Sequence, residues 1–318
     1  WLAVTLARDQ DAELLPAWLG PAIDPHDPWP ELARAVGERP ASALVAEGAP
    51  LGLPVARLGE TRPVGAPVTA RPLGDAAAPE QLADVVVVDL SALWAGPLCA
   101  HLLGLAGARV IKVESSSRPD GARRGPQAFF DLLHAGHESV AVDFTVDHGR
   151  AALAALVARA DVVIEGSRPR ALRQLGIDAE DVLRDGRCRV WVSLTGHGRD
   201  GEAGQRAGFG DDTAVAGGLV ARDPERGLCF CTDAVADPVA GLTAAAATLD
   251  ALRRGGRWLL DVSLARCAAA SVDTASTAPV RRTPYAAAPP RARPAAGPAP
   301  DLGADTAGVL AELDIAAG

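Results

Sequence analysis

One aspartate stands in a sequence setting that suits covalent chemistry. Asp237 is flanked by apolar residues and is followed directly by Pro238. Aspartate before proline is common at a helix start, where the carboxylate caps free backbone N–H groups, and the residues alone favour this structural role. The same position keeps a partly buried carboxylate ionised, and an ionised carboxylate can attack an acyl carbon to form a covalent intermediate. Weaker candidates for such a role are Asp211, Asp212 and Asp233.

Loops that follow predicted strands carry groups suited to binding anions. Guanidinium groups pair with two phosphate oxygens at once, and free backbone N–H groups at a helix start strengthen such a site. An ordinary tight turn or a solvated basic loop would explain each of these loops by itself. Three such loops on one edge of a sheet predict a site for a ligand with several phosphates. The loops lie at residues 91–97, 115–125 and 166–170.

The cysteines and histidines do not predict a metal site. Of the five cysteines, only Cys229 and Cys231 are close in sequence, and their C-x-C spacing lacks a second pair or a nearby histidine cluster. The histidines at positions 101, 134 and 137 also lack metal-ligand spacing. We therefore predict no metal ion, and we expect the thiols to be buried in a reducing compartment.

The overall composition disfavours several classes of function. The 318-residue chain has a net charge of −9, so nucleic-acid binding is not expected. No run approaches the roughly 18 apolar residues that cross a bilayer, and no secretory signal opens the sequence. We predict a cytoplasmic protein with neither a nucleic-acid nor a membrane partner. The chain has no methionine and opens within an apolar stretch, which predicts an N-terminally truncated piece.

Alternating strands and helices predict the sheet that would position these loops. The β-branched runs at 85–90, 109–114 and 161–165 are typical of strands buried on both faces. Strands that alternate with helices imply a parallel sheet with right-handed crossovers, whose ligands bind at the carboxyl ends of the strands. Further strands are predicted at 139–143, 189–194 and 258–263, and helices at 97–107, 149–160, 169–175 and 234–254.

Residues 83–265 carry a series of short motifs in a fixed order: DLS at 89–91, AGP at 95–97, LAGARVIKVE at 105–114, SVAVDF at 139–144, ADVVIE at 160–165, RP at 168–169, LG at 175–176, SLTGHG at 193–198, GF at 208–209, AD at 236–237 and AG at 240–241. Together these motifs resemble the family III CoA-transferases, which include formyl-CoA transferase, carnitine CoA-transferase and α-methylacyl-CoA racemase. The resemblance implies an α/β fold with a Rossmann-like CoA-binding domain, an interlocked homodimer and a catalytic aspartate that falls on Asp237.

The resemblance also implies a mechanism and a set of ligand contacts. In the family, the aspartate attacks an acyl-CoA to form a mixed anhydride, and the CoA thiolate then returns to give an aspartyl-CoA thioester. Coenzyme A is thus a substrate and product, and no tightly bound cofactor is expected. The implied partners are an acyl-CoA and a carboxylic acid. The CoA contacts map to Leu93, Trp94, Ala95, Ser115, Arg118, Arg123, Arg124, Gly166, Ser167 and Arg168.

Departures from the family pattern keep other functions open. The racemase branch has a histidine where this chain has Phe209, so racemisation loses its proton carrier and transfer is favoured. The remaining alternatives are a degenerate, non-catalytic CoA-binding half of a tandem protein and a nicotinamide dehydrogenase, which lacks its glycine fingerprint here. The residues expected to line the pocket are His197, Phe209 and Asp211.

Differences in composition and motif pattern divide the chain into four predicted regions. Residues 1–63 resemble the C-terminal half of the family's small domain, so a partial small α+β domain precedes the CoA-binding domain. Residues 64–82 are rich in proline, glycine and alanine and predict a linker. The Rossmann-like domain is expected at 83–270. Residues 271–318 are rich in proline and alanine and predict an extended tail.

Overall fold

The computed structural model describes residues 1–21, 23–24, 26–63, 65–223, 225–272, 291 and 293–316. Part of the predicted extended tail at 271–318, namely residues 273–290, 292 and 317–318, lies outside the described residues. The strands are β1 (Leu2–Val4), β2 (Val55–Arg57), β3 (Val68–Gly74), β4 (Val86–Asp89), β5 (Arg109–Ser115), β6 (Glu138–Val142), β7 (Val162–Glu165), β8 (Val190–Thr195), β9 (Val220–Asp223), β10 (Gly227–Phe230) and β11 (Arg257–Ser263).

The helices surround the main sheet and form most of the N-terminal region. They are α1 (Asp9–Glu13), α2 (Leu15–Leu19), α3 (Trp29–Gly37), α4 (Ala41–Gly48), α5 (Ala95–Leu105), α6 (Gln127–His134), α7 (Asp147–Arg159), α8 (Pro169–Gln174), α9 (Ala179–Asp185), α10 (Gly210–Ala216), α11 (Ala236–Arg254), α12 (Leu264–Ala270) and α13 (Thr306–Glu312). Among the described residues, no helix is both long and apolar enough to cross a membrane.

A seven-stranded sheet has the order β3-β11-β8-β7-β4-β5-β6. Its strands are parallel except for β3, which pairs antiparallel with β11. Without β3, this is the strand order of doubly wound nucleotide-binding domains, in which the chain direction across the sheet reverses at the first strand. Here the reversal falls between β4 and β7. The predicted α/β fold is confirmed, and the expected ligand crevice lies beyond the carboxyl ends of these two strands.

The β-branched runs form this sheet because both of its faces are covered. Neighbouring residues of β4 point to opposite faces: Val87 belongs to one buried cluster and Val88 to the other, and both are fully buried. The same division separates Ile164 from Val163 on β7. Full burial of one such side chain contributes roughly 1.5–3 kcal/mol, so the apolar runs fix the central strands in place.

Two of the predicted regions contain regular structure that the sequence did not indicate. The predicted linker includes β3, an edge strand whose residues are mostly exposed, and an edge position tolerates its Pro72. The predicted extended tail contains α13, which buries Val309 and Leu310 and packs beside β6. These two predictions are therefore wrong for residues 68–74 and 306–312. Neither segment shows a periodic apolar face. Strand pairing with β11 determines the structure of β3, and packing beside β6 determines that of α13.

The N-terminal region packs against the main domain through α10. β1 and β2 form a two-stranded antiparallel sheet, and the region has its own apolar core around Leu15, Leu44 and Leu53. The backbone N–H groups of Gly59 and Thr61 donate to carbonyl groups of α10 at 3.0 and 2.9 Å. Residues 1–61 are thus in direct contact with the helix that follows the predicted pocket residue Phe209.

The thiols differ from the sequence-based expectation in part. Cys99, Cys188 and Cys267 are buried, but Cys229 and Cys231 are exposed. These two lie at the β9–β10 hairpin, which forms a two-stranded sheet separate from the main sheet. In the part of the chain that the structure describes, no group of three or more histidine, cysteine or acidic side chains could hold a metal ion.

Candidate active site

The carboxylate of Asp237 lies where three helices begin. It belongs to the first turn of α11, and its side chain is partly buried. The backbone N–H groups of Ala95 and Gly210, which are the first residues of α5 and α10, face the carboxylate. A Cβ atom at Gly210 would lie 2.1 Å from Asp237 Oδ2, so the carboxylate rests directly on the glycine backbone. The carboxylate is therefore packed against the start of α10, with the start of α5 also close to it.

Asp237 is not the cap of its helix. The capping position belongs to Val235, and Ala234 just before it has a positive φ of 44°. The Ala234 N–H donates to Asp211 Oδ1 at 2.8 Å, which fixes this unusual turn. Because Asp237 lies inside the first turn and no side chain caps this helix, the structural interpretation that the residues alone favoured is wrong.

The surroundings of Asp237 favour its protonated form more than an exposed aspartate's would. Burial raises the pKa of Asp237 to about 7, and the nearby charges of Asp211 and Asp233 add to the increase. The N–H groups of Ala95 and Gly210 act in the opposite direction, because they stabilise the anion. The group therefore titrates near neutral pH, where a carboxylate is a stronger nucleophile and base than at its ordinary pKa.

The turn after β4 runs beside this carboxylate and carries the predicted contacts Leu93, Trp94 and Ala95. Leu93 has a positive φ of 69°, which is costly for a residue with a branched side chain, and its side chain is 41% exposed. Its N–H donates to Asp120 Oδ1 at 3.0 Å. Ala95 is buried and begins α5, two residues earlier than the helix start predicted at Pro97.

A buried ionic network supports the turn that follows β4. Lys112, on β5, has a side chain only 2% exposed, and its Nζ lies 3.0 Å from Asp120 Oδ2 and 3.9 Å from Asp89 Oδ2. The same ammonium donates to the carbonyl of Ser91 at 3.0 Å. Asp89 in turn accepts from the backbone N–H of Ser91 at 2.9 Å. The network links β4, β5 and the loop at 115–125 to the strained conformation at Leu93.

The predicted phosphate-binding arginines of the loop after β5 separate into two groups. Arg118 and Arg124 are exposed, as a role in ligand binding requires. Arg123 instead pairs with buried Glu114 at 2.6 Å, and its guanidinium lies 4.5 Å from the ring centroid of Phe130. Because Arg123 already neutralises a buried carboxylate, its side chain braces the loop. Ser115 is partly buried at the end of β5.

The loop after β7 lies against the turn after β4. A Cβ atom at Gly166 would be 3.3 Å from Cβ of Ser91, so the two loops meet at the reversal point of the sheet. Ser167 and Arg168 are partly buried beside it. Burial and the charges of Arg170, Arg8 and Arg118 lower the pKa of Arg168, which brings cationic side chains from separate segments together.

The predicted pocket residues occupy different environments. Phe209 is partly buried beneath the guanidinium of Arg8, whereas the side chain of His197 is only 3% exposed and lies 4.0 Å from Asp212. Burial lowers the pKa of His197 to about 3 and raises that of Asp212 to about 7. Asp212 also accepts a hydrogen bond from Thr5 Oγ1 at 3.0 Å. His197 therefore faces the interior rather than an open pocket.

The sequence-based analysis missed several residues that shape the site. Lys112 could have been found, because it is the only lysine in the chain and stands within an apolar strand. Thr5 and Arg8 carry no local signal, since their contacts with Asp212 and Phe209 cross about two hundred positions of sequence.

The fold places the protein among α/β proteins with a nucleotide-type binding crevice, and sequence comparison identifies the family. The model of CoA-transferase family III matches residues 82–299, and the chain belongs to this family. A succinyl-CoA–D-citramalate CoA-transferase from Chloroflexus aurantiacus is 30% identical over 199 residues, covering 58% of this chain and 50% of the relative. The human succinyl-CoA:glutarate CoA-transferase is 31% identical over 167 residues, covering 50% of this chain and 38% of the relative.

Solved structures agree with this assignment. A CAIB/BAIF family protein from Brucella suis superposes with a TM-score of 0.55 at 30% identity, covering 62% of this chain and 56% of that one. The Rv3272 protein of Mycobacterium tuberculosis has the same TM-score, 0.55, at 28% identity, with 61% and 58% coverage. The chain thus spans about half the length of these relatives.

Proposed function

We propose that the protein moves coenzyme A from an acyl-CoA to a free carboxylic acid, with Asp237 as the nucleophile. The observation that carries the proposal is the placement of this carboxylate beside Ala95, at the reversal point of a sheet whose family handles CoA thioesters. The relatives named for succinyl-CoA with citramalate or glutarate support CoA esters of small organic acids as substrates. The proposal includes the cytoplasmic location and the interlocked homodimer that the family resemblance implies.

The proposed chemistry begins with ionised Asp237. Its oxygen attacks the thioester carbon, and the C–S bond breaks. The CoA thiolate departs as the leaving group, and a mixed anhydride forms between Asp237 and the acyl group. The thiolate then attacks the aspartyl carbonyl and releases the first acid, which forms an aspartyl-CoA thioester. The acceptor acid repeats these steps in reverse. The N–H groups of Ala95 and Gly210 would stabilise negative charge on the oxygen atoms of the aspartyl group.

The same-family isomerase and the non-catalytic CoA-binding half remain the alternatives. An isomerase needs a base that removes the proton next to the thioester carbonyl. Phe209 occupies the position of the racemase histidine, and His197 is turned toward Asp212. In a non-catalytic domain the raised pKa of Asp237 would serve no chemical function. This favours catalysis only weakly, because burial alone produces such a shift.

A covalent adduct tests the proposal directly. The protein is incubated with an acyl-CoA donor, quenched in acid, digested and analysed by mass spectrometry. We expect a CoA-sized mass on the peptide that contains Asp237, and we expect Asp237→Ala to abolish it. Exchange of the proton at carbon 2 without an adduct would indicate the isomerase. If the protein binds CoA but shows neither the adduct nor proton exchange, it is a non-catalytic CoA-binding domain.

The pH dependence of transfer follows from the raised pKa of Asp237. Only the ionised carboxylate attacks, and its pKa is about 7, so kcat/KM is expected to rise with pH up to about 7 and then level off. Below that value, each unit of pH should lower the rate by about tenfold. Asp233→Asn provides a check, because removing a charge that raises this pKa should move the midpoint to lower pH. A flat profile between pH 5 and 8 would contradict the assignment.

A further inference from the structure

Asp212 is a fully buried carboxylate in the first turn of α10. Its Oδ1 atom accepts a hydrogen bond from the backbone N–H of Phe209 at 2.8 Å and another from the hydroxyl of Thr5 at 3.0 Å. The bond to Phe209 ties the third residue of the helix back to the residue before its first turn. The bond to Thr5 crosses 207 positions of sequence. A single oxygen atom therefore joins the N-terminal region to the start of α10.

Thr5 presents its hydroxyl from a backbone that is itself fixed. It directly follows β1, and its N–H donates to the carbonyl of Pro54 at 3.0 Å, just before β2. These two strands form the small antiparallel sheet of the N-terminal region. Thr5 also lies outside residues 82–299, which match the family. The donor to Asp212 is thus carried by a part of the chain that the family match does not include.

The start of α10 packs tightly against the proposed nucleophile. A Cβ atom at Gly210, the first residue of α10, would lie 2.1 Å from Asp237 Oδ2 and 2.5 Å from the carbonyl oxygen of Ala234. The N–H of the same glycine stabilises the ionised form of Asp237. Because protein interiors are close-packed, a small rotation of this helix start must move the carboxylate or weaken its contact with the N–H group.

Helix capping alone does not explain why Asp212 is buried. In the described part of the chain, its Oδ2 atom has no hydrogen-bond partner, and the same is true of His197 Nε2, which lies 4.0 Å away. Burial raises the pKa of Asp212 to about 7, and the charge of Arg206 opposes this increase. An exposed carboxylate would cap the helix without the cost of burial. The buried position provides what an exposed cap would not, namely the connection to Thr5.

We propose that Asp212 is a positioning residue for Asp237, and that Thr5 holds it in place from the N-terminal region. The two hydrogen bonds at Oδ1 fix the backbone at Phe209, and the next residue carries the N–H that meets the nucleophile. The inference rests on the proposed function and adds two residues to the support of its nucleophile. The N-terminal region is then required for the chemical step rather than for CoA binding.

The kinetic test removes the Thr5 hydroxyl from the full chain. Thr5→Val is expected to lower kcat for CoA transfer by about 3- to 10-fold, the usual effect of one hydrogen bond, without raising the KM for the acyl-CoA. Thr5→Ser keeps the hydroxyl and should retain the wild-type kcat. Thr5→Ala removes the same bond and replaces Thr5→Val if the valine variant does not fold. Asp212→Asn keeps an acceptor oxygen for both bonds and should retain kcat within about twofold.

A buried threonine far from the site provides the matched control. The hydroxyl of Thr248 donates to the carbonyl of Ala244 at 2.8 Å, about three turns along α11 from Asp237. Thr248→Val therefore also removes one buried hydroxyl bond. It should lower the Tm but leave kcat unchanged.

The titration of Asp237 gives a second measurement that does not depend on turnover. Carboxyl-carbon NMR of protein labelled at its aspartates follows the group directly, and Asp237→Asn assigns the signal. This separates Asp237 from Asp212, which titrates near the same pH, and from the neighbouring charges of Asp211 and Asp233. In Thr5→Val we expect the pKa of Asp237 to rise by about half a unit, because the N–H of Gly210 lowers it in the wild type.

The outcomes separate this inference from the proposed function. If the wild type transfers no CoA but the pKa of Asp237 rises in Thr5→Val, the transferase proposal fails and the positioning role stands. If transfer occurs but Thr5→Val changes neither kcat nor this pKa, the bond is merely structural and the inference is overturned. An effect on KM alone would also overturn it. So would a Thr5→Ser variant no more active than Thr5→Val, or an equal loss of kcat in Thr248→Val or Asp212→Asn.

Discussion

Replacing Asp237 by asparagine is expected to lower the rate of CoA transfer by on the order of 10⁴-fold or more. The amide keeps the shape of the side chain but offers no anionic oxygen to the thioester carbon. Initial rates with an acyl-CoA donor and a carboxylic acceptor measure the effect. CoA binding should change little, because asparagine keeps the size of the side chain and the proposed phosphate contacts Arg118 and Arg124 lie in a different loop.

A neighbouring carboxylate provides the control. Asp233 is exposed four residues earlier in the same segment, and its charge acts on Asp237 only through space. Asp233→Asn should therefore retain nearly the full rate at pH 8. If Asp237→Asn kept a tenth of the wild-type activity, another residue would have to be the nucleophile. Loss of activity in both variants alike would point to a folding defect of the segment.

The Asp237→Asn variant should also be more stable than the wild type at high pH. The folded-state pKa of Asp237 is about 7, above the ordinary value of 3.8. Between these values the folded protein holds the proton more tightly, so the free energy of unfolding falls as pH rises from about 4 to 7. Asparagine removes this loss. The Tm difference between variant and wild type should be positive at pH 8 and should vanish near pH 4, as expected for a site that gives up stability for reactivity.

The centre of the main sheet could be predicted from sequence because its central strands are buried on both faces. Such strands need continuous apolar residues, and the runs at 85–90 and 161–165 are of this kind. The edge strand β3 buries almost nothing, so only its hydrogen bonds to β11 identify it. For the same reason, α13 left no readable pattern, since it has seven residues and depends on contact with β6.

The candidate site shows a similar division. Asp237 and the turn at 93–95 could be located because motif and strand order place them at one edge of the sheet. The role of Arg123 was not predictable, because its partner Glu114 reads as part of an apolar strand and only the fold shows that it is buried. Arg8 illustrates the same limit over a longer distance, since its contact with Phe209 depends on how the N-terminal region docks.

Replacing Lys112 by methionine should destabilise the protein by about 3–5 kcal/mol at neutral pH, because the change leaves buried carboxylates without their cation. Asp89 and Asp120 are both buried within 4 Å of the lysine ammonium. Burial already raises the pKa of Asp89, and Lys112 is the charge that most opposes this rise. Equilibrium unfolding in urea measures the loss. It should be smaller at pH 5 than at pH 8, since protonation neutralises the orphaned acids.

The functional effect of Lys112→Met is expected to appear in ligand binding. Without the ammonium, the Ser91 carbonyl and Asp120 lose the group that ties them together, and the Leu93 turn can relax from its positive φ. The KM for the acyl-CoA should therefore rise. Arg109→Met is the matched control, because Arg109 lies on the same strand but pairs with two acids that are not buried, Glu138 and Glu312. A surface pair of this kind contributes roughly 0–1 kcal/mol.

A double variant distinguishes an unpaired charge from lost packing. Adding Asp120→Asn to Lys112→Met removes one orphaned carboxylate and keeps its shape, so part of the lost stability should return. If the double variant is less stable than Lys112→Met alone, the buried lysine acts mainly through its aliphatic stem. If instead Lys112→Met costs no more than Arg109→Met, the network does not hold the turn. If the double variant regains both stability and the wild-type KM for acyl-CoA, the same ionic cluster supports the fold and the turn at Leu93.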